Sequence, residues 1–338
     1  VTERIVYKKT AVKEPMMSAD ASAGSGKAAG RRHLAGTATL FLAIGMSAAV
    51  AVGPADAQPA KVAFAIPYTG TLKKINDSGE IRIGYRENSP PFAFLDARRK
   101  PVGYALDLCE NVVEEITAEI GRDLRVIRRP VTPENRFDLV ASGDVDLECG
   151  STTNNVERRK IAAFSPTMFV TGTKLLVRRG SGILNLRDLA GRTVVLTRGT
   201  VHETAIPKLA QRQNIPIKFV FGNDHGESFQ ILATGKADAF ANDDVQLYGM
   251  VAETRSAADF RVVGDFLTYA DYALMFRKDD PEFAEVVERA FHKLAGSREI
   301  VAIYERWFQK ALPSGARLNI PMSPHLEELF RVQGLPSD

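Results

Sequence analysis

The 338-residue chain is poor in the residues that mark reactive or metal-bound chemistry, with two cysteines and five histidines. The four histidines beyond residue 57 are His202, His225, His292 and His325, and their spacing fits no metal-ligand pattern, so no metal site is expected. The same region holds no G-x-S-x-G, H-E-x-x-H, Walker A or dinucleotide-type G-x-G-x-x-G signature, and no cofactor is expected. It shows no internal repeat, no coiled-coil heptad and no apolar run that could cross a bilayer.

A lasting excess of charge is also missing. Residues 1–57 hold seven of the 44 Lys/Arg and four of the 41 Asp/Glu, leaving 37 of each sign in the remainder. The sequence pI of about 8.8 therefore comes from the N-terminal segment and gives no ground for expecting nucleic acid as a partner.

What is present begins with that segment. The first thirty or so residues are rich in Ala, Gly, Ser and Lys, lack an apolar period and read as disordered. Arg31-Arg32-His33 then precedes a mostly apolar run over 34–52, followed by Ala55-Asp56-Ala57. A positive n-region, an apolar h-region and an A-x-A site predict export with cleavage after Ala57. The rival reading is a transmembrane anchor, since a run of about nineteen residues is long enough to span. Its Gly, Ala, Ser and Thr content favours cleavage, and no Cys follows it to carry a lipid anchor. The extension before Arg31 is long for a signal peptide and leaves room for a start codon further in. Residues 58–70 read as a linker.

The remaining chain is long enough for two modest lobes, each with its own core. Short apolar runs alternate with helical patterns, as in parallel α/β sheets. Strands are expected at 81–85, 124–128, 145–149, 173–178, 193–197, 217–221, 237–241 and 272–277. Helices are expected over 107–120, 136–142, 201–212, 228–234, 245–253, 281–295 and 297–310. Stretches 174–178 and 271–277 are the expected crossings between lobes. Lobe 1 then comprises 71–171 and 273–335, and lobe 2 comprises 172–272. Such a pair of lobes places a ligand in the cleft at the C-terminal ends of the strands.

The most informative stretch is 148–158. Gly150 opens a loop carrying Ser151, Thr152 and Thr153, and Arg158 follows. A helix is expected to start near Val156, with Asn154 and Glu157 spaced as a capping box. Backbone N–H groups, hydroxyls and one guanidinium aimed at one point would suit a small carboxylate.

From about residue 71 to 324 the sequence resembles the periplasmic solute-binding proteins for polar amino acids, above all the glutamate/aspartate binders of ATP-binding cassette importers. The resemblance rests on the ordered segments 70–75 (Gly-Thr-Leu-Lys-Lys-Ile), 84–89 (Gly-Tyr-Arg-Glu-Asn-Ser) and 148–158. It continues through 224–229 (Asp-His-Gly-Glu-Ser-Phe), 242–244 (Asn-Asp-Asp) and 277–281 (Arg-Lys-Asp-Asp-Pro). It implies an α/β, two-lobe periplasmic binding protein of type II (a Venus flytrap), each lobe a mostly parallel sheet flanked by helices, with two hinge crossings. It further implies a monomer that binds L-glutamate or L-aspartate in the periplasm and delivers it to an ABC permease, with no chemistry.

Residue by residue, the resemblance assigns the α-carboxylate to Arg158, helped by Thr153, the hydroxyls of the 151–153 loop including Thr152, and Thr200 in the loop 198–201. Where relatives often carry a second Thr, Val201 leaves only a backbone donor. Asp243 is the expected ammonium acceptor, completed by Ser151 and Thr153, with Asp244 as its rival. Arg86 stands where lysine and arginine binders carry an acid, which argues for an acidic ligand side chain. Arg136 and His225 match the second arginine and the lobe 2 histidine of the glutamate/aspartate binders. Pro133 departs from the pattern, replacing a ligand-touching Ser, which could shift the Glu-versus-Asp preference. The empty cleft is expected to be electropositive.

Cys109 and Cys149 could form a disulfide in an exported chain, but two buried free thiols are the favoured expectation. Two rivals to capture and delivery remain: a cyclohexadienyl-dehydratase-like enzyme on the same fold, for which Glu87 is the acid nearest the strand end, and a ligand-presenting module for a membrane receptor.

Overall fold

The computed structural model describes residues 67–337. The expectations for 1–57, and those for the linker up to residue 66, lie outside the described residues.

The first sheet-forming half runs α1 (Gly70–Ser78), β1 (Glu80–Tyr85), β2 (Asn88–Ser89), β3 (Ala93–Leu95), β4 (Pro101–Val102), α2 (Tyr104–Ile120), β5 (Arg125–Pro130), α3 (Arg136–Ala141), β6 (Leu147–Cys149) and β7 (Ala162–Phe164). The chain then passes through β8 (Phe169–Arg178), β9 (Thr193–Thr197), α4 (His202–Arg212), β10 (Lys218–Gly222), α5 (His225–Ala233), β11 (Ala239–Asp243), α6 (Asp244–Glu253) and β12 (Phe260–Val263). It returns through β13 (Tyr269–Tyr272), β14 (Met275–Arg277), α7 (Pro281–Gly296), α8 (Glu299–Phe308) and α9 (Pro324–Val332).

Two sheets of the same plan result. One has the order β5-β1-β6-β14-β7, the other β10-β9-β11-β8-β12, and β2, β3 and β4 form a small third sheet. In each large sheet three parallel strands are followed by an antiparallel one: β14 against β6, and β8 against β11. Alternation explains how the second sheet buries both faces. Leu175, Val177, Val194, Leu196, Ala239 and Ala241 enter one cluster, whereas Leu176, Val195 and Phe240 enter another with Phe229 and Leu247. A strand covered on both faces needs apolar residues at both parities, and these strands have them.

β8 links the sheets. Its first part pairs with β13, Phe169 with Tyr272 through Gly172 with Tyr269, and its second part pairs with β11 and β12. The stretch 174–178, expected as a crossing, therefore lies inside the second sheet, and the crossing ribbon is 169–172 with β13. The expected strand 272–277 is split, ending β13 at Tyr272 and resuming at Met275. Phe169 and Tyr272 root this ribbon in an aromatic nest, with the Phe92 ring centroid 5.1 Å from each. Edge-on rings of this kind add directional preference to apolar burial.

Two further expectations are corrected. Cys109 and Cys149 are bridged, with Cα atoms 6.2 Å apart. Helix α2 packs against the end of β6, which brings the two side chains face to face within bridging range. The helix expected from Val156 is a single 3₁₀ turn, Arg158–Lys160, without a capping box. Asn155 Oδ1 accepts from the Arg158 N–H instead, and Ala162–Phe164 is drawn into β7 by pairing with β14. Val156 and Ile161 remain exposed, so no apolar face exists to hold a longer helix in place. Among the described residues, no helix is long and apolar enough to cross a membrane.

Candidate functional site: an arginine-lined cleft between the sheets

The strand ends meet at a tightly closed pocket with about 10 Å³ of free volume. From the first sheet it is lined by Arg86, just past β1, Arg136 at the start of α3, and Ser151, Thr153 and Arg158 after β6. From the second it is lined by Thr200 and Val201 after β9, His202 opening α4, His225 opening α5, and Asn242, Asp243 and Gln246 at the β11–α6 junction. Tyr272, on the crossing ribbon, closes the floor. Eight of the nine residues proposed from sequence thus surround one space. The ninth does not: the Thr152 side chain is fully buried and its hydroxyl donates to Glu148 Oε2 at 2.7 Å.

Two of the three guanidiniums are held by backbone carbonyls. Arg158 donates through Nη1 to Thr153 O at 3.1 Å and through Nη2 to Gly199 O at 3.3 Å. Arg136 donates through Nη1 to Pro133 O at 2.7 Å and through Nη2 to the same Gly199 oxygen at 3.3 Å. Gly199 has φ +67° and lies so near the 133–134 backbone that an added Cβ would stand 2.6 Å from the Pro133 carbonyl. Only glycine accepts both that conformation and that approach. Further bonds cross between the sheets, from Gln246 Nε2 to Ser151 Oγ and from Asn88 Nδ2 to Asp224 Oδ2 at 2.9 Å.

Asp243 is almost wholly buried and accepts from the Tyr272 hydroxyl and from Thr173 Oγ1 at 3.2 Å, with His202 Nε2 3.0 Å away. Burial raises the pKa of its carboxyl, but His202 and the hydroxyl donors outweigh this and hold it below the ordinary value. Asp244 faces elsewhere: its Oδ1 accepts from Thr171 Oγ1 at 2.8 Å and from the Val245 N–H, and it lines a separate apolar cavity behind the ribbon. Of the two acids, Asp243 lines the arginine pocket and Asp244 does not.

Burial pushes the Arg86 pKa down to about 9, and the Arg136 charge adds to it, while Glu148 opposes it. Arg158 is also brought to about 9 by burial and then by Arg136. Arg136 is lowered chiefly by burial. The Nη2 of Arg86 and the Nε of Arg136 are buried without a hydrogen-bond partner. Such a cluster favours an anion, because each guanidinium lacks full solvation and repels the others. His225, which opens a helix capped by Asp224, keeps its Nδ1 3.0 Å from Thr197 Oγ1. Burial first, then Arg86, His202 and Arg136, hold its pKa well below 6.5, so it is a neutral ring.

Sequence reasoning missed His202, Asn242, Gln246 and Tyr272 as lining residues. Gln246 follows Asp243 by three residues, the spacing that puts both on one helical face, and this could have indicated it. His202 carried no such signal.

Two α/β sheets joined by an antiparallel ribbon, with a small charged cavity at their facing strand ends, define a two-lobe binding protein of periplasmic type II. The chain belongs to the bacterial extracellular solute-binding proteins, family 3, whose pattern matches residues 81–310. It is 37% identical over 87% of its length, and 95% of the relative's, to a glutamate/aspartate import solute-binding protein of Escherichia coli K12. It is 40% identical, over 80% of its length and 89% of the relative's, to an L-glutamate/L-aspartate-binding protein of Pseudomonas aeruginosa. Among solved structures it is similar to an ancestral arginine-binding protein bound to arginine, with TM-score 0.62, 27% identity, and coverage of 68% of this chain and 98% of that one. It is also similar to the ancestral amino acid-binding protein AncCDT-1, a precursor of cyclohexadienyl dehydratase, with TM-score 0.61, 25% identity, and coverage of 71% and 100%.

Proposed function

We propose that this protein captures L-glutamate and L-aspartate in the periplasm and presents them to the membrane permease of an ABC importer. The observation that carries this reading is the meeting of Arg86, Arg136 and Arg158 with Asp243 around one pocket at the facing strand ends. Arg158, Thr153 and Thr200 hold the α-carboxylate. Asp243 accepts the ammonium, with Ser151 and Thr153 completing its shell. Arg86 and Arg136, beside neutral His225, hold the side-chain carboxylate. Glu87, the acid that a dehydratase reading requires, lines a different cavity with Asn88 and Pro90.

Ligand docks first on lobe 1, residues 71–171 and 273–335, which carries all three arginines. Closure of lobe 2, residues 172–272, about the β8–β13 ribbon then adds Thr200, His225 and Asp243. Differential affinity for the closed form drives the motion. Micromolar capture corresponds to roughly 8 kcal/mol, which a few charge-assisted bonds in a dry cleft can supply. The protein acts as a monomer after export and cleavage near Ala57, which N-terminal sequencing of the exported protein checks. The names of the two curated relatives support the choice of ligand. Calorimetry of ligand-stripped protein against the twenty amino acids tests it: glutamate and aspartate should bind most tightly, and tighter binding of a neutral or basic amino acid would refute it.

A further inference from the structure

Beneath the three arginines lies an acid that no proposed ligand contact uses. Glu148 sits in β6 at the centre of the first sheet, opposite Gly84 of β1 and Met275 of β14, and is completely buried. Its Oε2 accepts from Thr152 Oγ1 at 2.7 Å, and its Oε1 is buried without a hydrogen-bond partner. Glu148 and Arg86 both pack on Gly150. A Cβ at that glycine would stand 2.3 Å from Glu148 Oε1 and 3.0 Å from Arg86 Cγ. Among the described residues, Glu148 makes no direct ion pair with an arginine, yet a lone carboxylate in a sheet interior is costly unless positive charge surrounds it.

We propose that Glu148 is the internal counter-ion of the arginine cluster, a positioning residue that sets the net charge of the cleft and so its ranking of ligands by charge. Counted alone, the three arginines Arg86, Arg136 and Arg158 against the buried acids Asp243 and Glu148 leave one positive charge in excess, three minus two. Glutamate and aspartate carry one net negative charge at neutral pH and so offset that excess. Glutamine and asparagine carry none and leave it in place. The inference rests on the acidic-amino-acid reading above and extends it from contacts to charge balance. The Glu148 charge also opposes the lowering of the Arg86, Arg136 and Arg158 pKa values by burial.

Glu148→Gln keeps the shape and the Thr152 bond and raises the excess to two positive charges. The affinity ratio of glutamate to glutamine, measured by calorimetry at pH 8, should then rise roughly tenfold over wild type, since charge close to the ligand in a poorly screened cleft acts at that order. Glu148→Asp, which keeps the charge, should retain the wild-type ratio within threefold. A packing role would move both ligands equally, so an unchanged ratio in Glu148→Gln overturns the proposal. If Glu148→Gln does not fold alone, the ranking is read as ligand-induced recovery of its circular-dichroism signal. Glutamine matching glutamate there overturns the proposal just as firmly. Wild-type glutamate affinity is measured first: its absence overturns the ligand reading and this inference together, whereas a flat ratio with intact wild-type binding counts against Glu148 alone.

Discussion

Arg136 and Arg158 donate to one and the same oxygen, the Gly199 carbonyl, each at 3.3 Å. Two like charges converge from the first lobe on a loop of the second, where Gly199 adopts a φ of +67°. Repulsion between the guanidiniums is offset only partly by a neutral acceptor, so an anion that bridges them gains more than one that meets either alone.

Arg158 should serve every ligand alike, because the α-carboxylate is common to all amino acids. Arg158→Ala is expected to weaken glutamate, aspartate and their amides at least about thirtyfold, in keeping with the roughly 2–5 kcal/mol for truncating one partner of a buried charge pair. Calorimetry measures this directly. Binding of glutamate within tenfold of wild type would show that the α-carboxylate lies elsewhere.

His225 should make the protein less stable in acid. Unfolded, its imidazole takes up a proton near pH 6.5; folded, burial together with Arg86, His202 and Arg136 holds it neutral well below that. The unfolded state therefore binds more protons below pH 6.5, and stability falls as pH drops through that window by up to about 1.4 kcal/mol per unit. Urea unfolding at pH 5, 6, 7 and 8 should show a shallower pH slope in His225→Gln than in wild type. Equal slopes would mean that the folded ring titrates normally.

The disulfide should contribute to stability. Cys109 and Cys149 close a loop with a sequence separation of 40, which in the chain-entropy model corresponds to about 4 kcal/mol. Replacing both by Ala should lower the unfolding free energy measured in urea by an amount of that order, and reductant should then have no further effect on the variant. A reductant-insensitive wild type would contradict the bridge.

Much of this architecture was legible beforehand because its signals are local and periodic. Apolar runs such as Val194, Val195 and Leu196 fixed strands at 193–197 and their neighbours, and eight of the nine candidate residues reached the cavity because they sit at strand ends, where the α/β arrangement gathers them. The failures have tertiary causes. The helix expected after Val156 gave way to pairing of β7 with β14, a partner more than a hundred residues away. Thr152 reads like Ser151 and Thr153, but its side chain turns inward to Glu148 in the packed loop after β6. The bridging of Cys109 and Cys149 depends on how α2 lies on β6, which neither segment encodes alone.

The central claim is that Arg86 and Arg136 read the charge of the ligand side chain, and a ratio within one mutant tests it most directly. Affinities of glutamate, aspartate, glutamine and asparagine are measured by calorimetry for Arg86→Ala and for Arg136→Ala, with circular dichroism confirming the fold. A carboxylate deprived of its buried partner should lose about 2–5 kcal/mol, tens- to thousands-fold in affinity, while an amide loses an ordinary hydrogen bond of about 0.5–1.5 kcal/mol. Acids weakened at least tenfold more than amides in each variant is the expected result. Equal losses for acids and amides would contradict the claim and leave the arginines as mere walls of the cleft.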